Sequence, residues 1–185
     1  MFRMQRIAAL FGFLLVSSLA CRLTSTAERT FENETISFTI PAGWQTREEV
    51  WGRTAAAGQE YKGLGVQELI MIQYPPDRGK GKVFFVVASS PLAEGQDLES
   101  RFTQAYQMAV PEIENASQQL FERGELAGYE ITYKRPWGEP WWQFRDVWLE
   151  KDGVIYVLSF YASPNSFESY TDTFDQTLES FRFKD

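Results

Sequence analysis

Two uninterrupted apolar runs, Leu69-Ile70-Met71-Ile72 and Val83-Phe84-Phe85-Val86-Val87-Ala88, constrain this chain more than any other feature. A strand with one wet face alternates apolar and polar side chains, whereas a strand without alternation is covered on both faces. Pro75-Pro76-Asp77 and Gly79-Lys80-Gly81 separate the runs as a turn. A sheet buried on both sides needs a layer on each side, and the sequence supplies helices for the purpose. Leu98, Phe102, Ala105, Tyr106 and Ala109 recur at helical spacing behind Asp97, a suitable N-cap, and Pro111 ends the helix. Phe167, Tyr170, Phe174, Leu178 and Phe181 form a second apolar stripe, and Asn165 with Glu168 reads as its capping box.

Further strands fill in the sheet. Ile36-Ser37-Phe38-Thr39-Ile40 alternates and stops at Pro41-Ala42-Gly43, after which Trp44 packs back over the core. Gly52–Gly65 lacks periodicity and reads as a loop. Gln118–Glu122 is a short strand, Tyr129–Arg135 alternates, and Gln143–Glu150 and Val154–Tyr161 flank Asp152-Gly153, a type I′ hairpin signal. The expected fold is an α/β/α sandwich with a central, mainly antiparallel sheet between helical layers.

The first twenty residues are of another kind. Met1–Arg6 carries two positive charges, and Ile7–Leu19 is an uncharged apolar run of 13 residues. That is shorter than the ~20 residues a membrane-spanning helix needs, and it suits the core of an export signal. Val16-Ser17-Ser18-Leu19-Ala20-Cys21 resembles the bacterial lipobox, although Ser18 stands where leucine is more usual. The resemblance implies cleavage after Ala20 and lipidation of Cys21; the alternative is an ordinary secretory signal with a stray thiol. Cys21 is the single cysteine of the chain, and a lone free thiol on an exported protein is a liability. The domain organisation is therefore a signal peptide over 1–20, a lipidated tether over 21–29, and one globular domain over 30–185 at the extracytoplasmic face of a membrane.

Charge and residue types narrow the chemistry. Without residues 1–20 the chain keeps 16 basic and 25 acidic side chains, a net charge of −9. Such a surface repels nucleic acid and anionic headgroups, so the expected partners are the membrane, through the lipid anchor, and a protein. There is no histidine, which removes Ser-His-Asp and Cys-His catalysis and histidine-containing zinc sites. Gly79-Lys80-Gly81 lacks the spacing of a phosphate loop, and no alternating oxygen ligands for calcium occur. No catalytic residue, metal or cofactor is expected. The most unusual local feature is Pro136-Trp137-Gly138-Glu139-Pro140-Trp141-Trp142, between two strands. Trp137, Trp141 and Trp142 with Arg135 form either an exposed recognition patch or a satellite core folded onto the sheet. Lys134, Arg145 and Trp51 are further residues that this patch could recruit.

The opening, Phe31 through Ile36-Ser37-Phe38-Thr39-Ile40-Pro41-Ala42-Gly43-Trp44, resembles that of PsbP-like domains. The closing stretch, Asp152-Gly153-Val154-Ile155-Tyr156-Val157-Leu158 followed by Phe174 and Ser180-Phe181, resembles their last hairpin and final helix. The family implies a docking module, generally without catalysis, and includes extrinsic photosystem proteins and bacterial lipoproteins. Some members bind divalent metal through histidine, which this chain lacks. Three readings follow in order: a membrane-tethered binding or assembly module, a photosystem II accessory protein of the thylakoid lumen, and a carboxylate-dependent envelope hydrolase.

Overall fold

The computed structural model describes residues 27–51, 60, 61, 66–74, 83–136 and 141–184. The leader, Cys21 and Trp137 lie outside the described residues, as does the turn expected over 75–82. The side chain of Trp51 lies outside them too.

The main sheet runs in the spatial order β3 (Gln45–Thr46), β5 (Val66–Tyr74), β6 (Val83–Pro91), β10 (Val154–Ala162), β9 (Trp142–Lys151), β8 (Leu126–Arg135), β7 (Glu114–Arg123). A two-residue strand, β4 (Glu60–Tyr61), also pairs with β5, so part of the stretch read as loop contributes to the sheet. All these pairings are antiparallel. The Asp152-Gly153 turn has positive φ at both residues, 54° and 74°, as a type I′ hairpin requires. β7 extends well beyond the expected Gln118–Glu122. It is an exposed edge strand with polar side chains on both faces, so its ends carry no alternation to read.

Side chains alternate between faces, so registry sorts the core. One face carries the row Ile70, Val87, Leu158, Val147 and Glu130, and beside it Ile72, Phe85, Phe160 and Arg145. Covering it are a small sheet, β1 (Arg29–Glu32), β2 (Ile36–Ile40) and β11 (Arg182–Phe183), and the C-terminal helices α3 (Pro164–Phe167) and α4 (Thr171–Ser180). Ile36, Phe38, Trp44, Phe167, Phe174, Leu178 and Phe181 join this cluster, and Phe174 stacks 5.0 Å from Phe160. Burial of this many large side chains, at about 2 kcal/mol each, is the main force holding the layers together.

The opposite face carries Met71, Val86, Ser159, Asp146 and Ile131, and a second row of Gln73, Phe84, Tyr161, Phe144 and Tyr133. Helix α2 (Leu98–Ala109) lies on this face, where Phe102 stacks 4.8 Å from Tyr129 and meets Trp148 edge-on. Asp97 caps it in a full capping box with Ser100. A short helix, α1 (Arg47–Trp51), is pinned to the same face by Arg47, which pairs with buried Glu68 at 3.3 Å and touches the Met71 sulfur. The fold is sheet-dominated, with the helices as partial cover.

Two expectations for the helices need correction. Asn165 is not a cap: the helix begins at Pro164, whose fixed φ suits the first helical position, and Ser163 precedes it. The stripe from Phe167 to Phe181 is not one helix either. It breaks into a 3₁₀ turn at Glu168–Tyr170, and Phe181 is already extended. At the break Tyr170 reaches Trp44 and Tyr74, whose rings lie 6.2 and 5.7 Å away.

Candidate functional site: an aromatic strand end

Four rings from four neighbouring strands stand in one row on the α2 face. Tyr133 stacks on Phe144 at 5.1 Å, Phe144 on Tyr161 at 5.0 Å, and Tyr161 on Phe84 at 5.1 Å. Each pair is directly opposed across the sheet, where strand spacing of about 4.8 Å enforces stacking of flat side chains. This aromatic row ends close to the strand tips, and Trp142 lies two residues beyond Phe144 on the same face, in register with Arg135. The Trp142 ring is half-buried and packs 5.7 Å from Phe84 and 6.1 Å from Tyr161.

Trp141 sits immediately outside and is 37% exposed. Arg135 is exposed and bonds Glu112 at 2.7 Å, so the turn that follows α2 is fastened to the end of β8. That turn brings in Val110, 47% exposed, and the last turn of α2 brings in Met108, 61% exposed. The expected patch residues Trp141, Trp142 and Arg135 therefore meet at one end of the sheet, with Trp142 as the rooted member and Trp141 as the outward one. Arg145 does not join them. Its registry puts it on the other face, where it bonds Glu130 at 2.8 Å and Asp175 at 3.0 Å beneath α4. Met108 and Val110 were not legible as members because the Arg135–Glu112 bridge and the Glu114–Lys134 pairing, which bring the turn after α2 to this end, join residues far apart in the sequence.

Beneath the aromatic row lies Asp146. Tyr133 donates its hydroxyl to Asp146 Oδ2 at 2.9 Å, and Oδ1 is buried without a hydrogen-bond partner among the described residues. Burial pushes its carboxyl up to about 6, against the opposing pull of Ser159, Tyr133 and Arg135. The same burial, with Asp146 close by, pushes the Tyr133 phenol up. Glu68 is also raised by burial, with Arg47 opposing. Registry places Glu68 on β5 and Asp146 on β9, with β6 and β10 between them, roughly 14 Å apart at strand spacing. The two acids are too far apart to share a proton or flank one scissile bond, and each is best read as a buried polar group with its own partners. Among the described residues no cluster of three or more metal-ligating side chains occurs, and no helix is long and apolar enough to cross a membrane.

No family model matches the sequence, and no curated protein is similar to it. Solved structures are similar in fold. CyanoP, the cyanobacterial PsbP of Synechocystis, superposes with a TM-score of 0.56 at 13% identity, covering 92% of this chain and 99% of its own. LpqN of Mycobacterium tuberculosis, involved in cell envelope biogenesis, gives 0.54 at 12% identity, covering 86% and 91%. PA94 of Pseudomonas aeruginosa, a protein of unknown function and putative regulator, gives 0.53 at 10%, covering 83% and 94%. The fold of this chain is thus similar to that of cyanobacterial PsbP, in line with the resemblance of its opening and closing strands.

Proposed function

We propose that the chain is an extracytoplasmic module, an α/β/α sandwich tethered to a membrane through Cys21, that binds through the Trp141 end of its sheet and does not catalyse. The observation that carries this reading is the rooted geometry of the patch. Trp142 is locked on the aromatic row, Arg135 is locked to Glu112, and Trp141, Met108 and Val110 are left facing out. Exposed large apolar side chains beside a fixed aromatic base offer a partner contact area on a preorganised support, which is what recognition surfaces need. The residue types agree: the sequence has no histidine, and the buried acids stand apart. LpqN, of similar fold, is involved in envelope biogenesis, which supports the same compartment. CyanoP favours a photosystem accessory role only as far as fold goes, and the same fold serves the other two proteins.

The experiment is intact-mass analysis of the mature protein from detergent-solubilised membranes, beside a Cys21→Ser variant. The expected result is a chain beginning at a diacylglyceryl-modified Cys21, with the variant lost from the membrane fraction. An unmodified thiol, or a retained leader, refutes the anchor. A specific turnover abolished by replacing Asp146 or Glu68 refutes the non-catalytic reading.

A further inference from the structure

We infer that the domain stands on the bilayer with its Trp141 end down, so that the partner of this patch is the lipid surface itself. The inference rests on the tethered reading above and names what the patch touches.

The first support is where the chain enters the domain. Arg29, near the start of the described residues, donates to the Trp44 carbonyl at 3.3 Å and pairs with Glu49. The Trp44 ring lies 6.0 Å from Tyr74. Tyr74 ends β5 in the row Tyr74, Val83, Ala162, Gln143, Lys134, one residue short of the Trp142–Arg135 pair. The tether thus leaves the domain at the end of the sheet that carries the tryptophans. The opposite end, at Lys151 and the Asp152-Gly153 turn, lies nine residues further along β9, roughly 30 Å away. Eight tether residues span at most about 28 Å when fully extended. The near end is reached with slack, the far end only by a stretched chain.

The second support is what each end shows. Three of the four exposed large apolar side chains among the described residues, Met108, Val110 and Trp141, lie at the near end; the fourth, Leu120, lies on β7 beside the far-end acids. Tryptophan favours the bilayer interface, where its ring is apolar and its N–H stays wet. At the near end Arg29, Arg47, Lys134 and Arg135 offset nearby acids such as Glu49 and Glu112. The far end gathers Asp97, Glu99, Glu122, Glu125, Glu150 and Asp152 around the strand turns, against the three cations Arg123, Lys151 and Arg182, and stays net acidic. An acidic end is repelled by a membrane bearing anionic lipid, and a balanced aromatic end is not. The anchor, the larger share of apolar exposure and the net charge favour one orientation.

The test uses the full-length lipidated protein reconstituted in phosphatidylcholine vesicles. Single cysteines are introduced as Trp141→Cys, Val110→Cys or Asp152→Cys and spin-labelled, the native thiol being consumed by the anchor. Trp141, Val110 and Asp152 are surface positions, so the variants leave the core intact, and Val110 backs up Trp141 should the latter fail to fold. Collision with oxygen, which concentrates in lipid, is compared with collision with a water-soluble nickel chelate. The labels at 141 and 110 should favour oxygen, and the label at 152 should favour the chelate. Labels at 141 and 110 as aqueous as the one at 152 overturn the inference, as does lipid exposure at 152. Labels at 141 and 110 shielded from both reagents point to a protein contact and also overturn it. Intact mass separates the two readings: a modified Cys21 with an aqueous Trp141 end defeats the orientation alone, and an unmodified Cys21 defeats both.

Discussion

Asp146→Asn tests whether the buried carboxyl under the aromatic row makes stability depend on pH. Asp146 titrates near 6 in the folded protein and at the ordinary 3.8 in the unfolded chain. The folded state therefore holds the proton more tightly. The stability this contributes is complete below 3.8 and is lost as pH rises through 6. At 1.36 kcal/mol per pH unit, the loss between acid and neutral solution is up to about 3 kcal/mol. Glu32, Glu49 and Asp97, lowered by Lys184, Arg29 and Ser100 respectively, change stability in the opposite sense. Glu68, raised by burial, adds to the Asp146 trend, so the wild-type profile alone mixes several groups. Asparagine keeps an oxygen to accept the Tyr133 hydroxyl and cannot ionise. Urea unfolding followed by circular dichroism, at about pH 3.5 and about pH 7, should give a wild-type-minus-variant difference that shifts by ~2–3 kcal/mol between the two conditions. The variant should be the relatively more stable protein at neutral pH. A difference that is the same at both pH values refutes the account of Asp146 as a buried, desolvated acid.

Four other substitutions probe the frame. Phe102 is the buried residue of α2, so Phe102→Ala should cost about 3–4 kcal/mol in urea unfolding and loosen α2 first, as read by amide exchange. Arg145→Met leaves Glu130 buried without its partner and should cost roughly 3 kcal/mol, more than Arg135→Met, whose exposed bridge is worth under about 1 kcal/mol. A Cβ on Gly128 would lie 1.9 Å from the Trp148 carbonyl oxygen. Gly128→Ala should therefore push β8 from β9, lower the melting temperature and disturb the near-ultraviolet signal of Trp148.

The sequence by itself determined the central strands of the sheet and the Asp152-Gly153 turn. The unbroken runs at Leu69–Ile72 and Val83–Ala88 demand burial on both faces, and β5 and β6 are the strands so buried. Asp152-Gly153 specifies its hairpin because its backbone conformation is a local property, and Asp97 specifies the start of α2 for the same reason. Which residues share a face across strands was not legible. Alternation along β9 already separates Trp142 from Arg145, but only the register with β8 and β10 stacks Phe144 on Tyr133 and Tyr161 and so builds the row that Trp142 packs against. The Arg135–Glu112 bridge, the separation of Glu68 from Asp146, and the meeting of the chain's entry point with the Trp141 end are likewise products of long-range pairing. Local backbone preference acts within a few residues and can be read along the chain. A site assembled from several strands is fixed by hydrogen-bond register and packing, which exist only once the chain has folded.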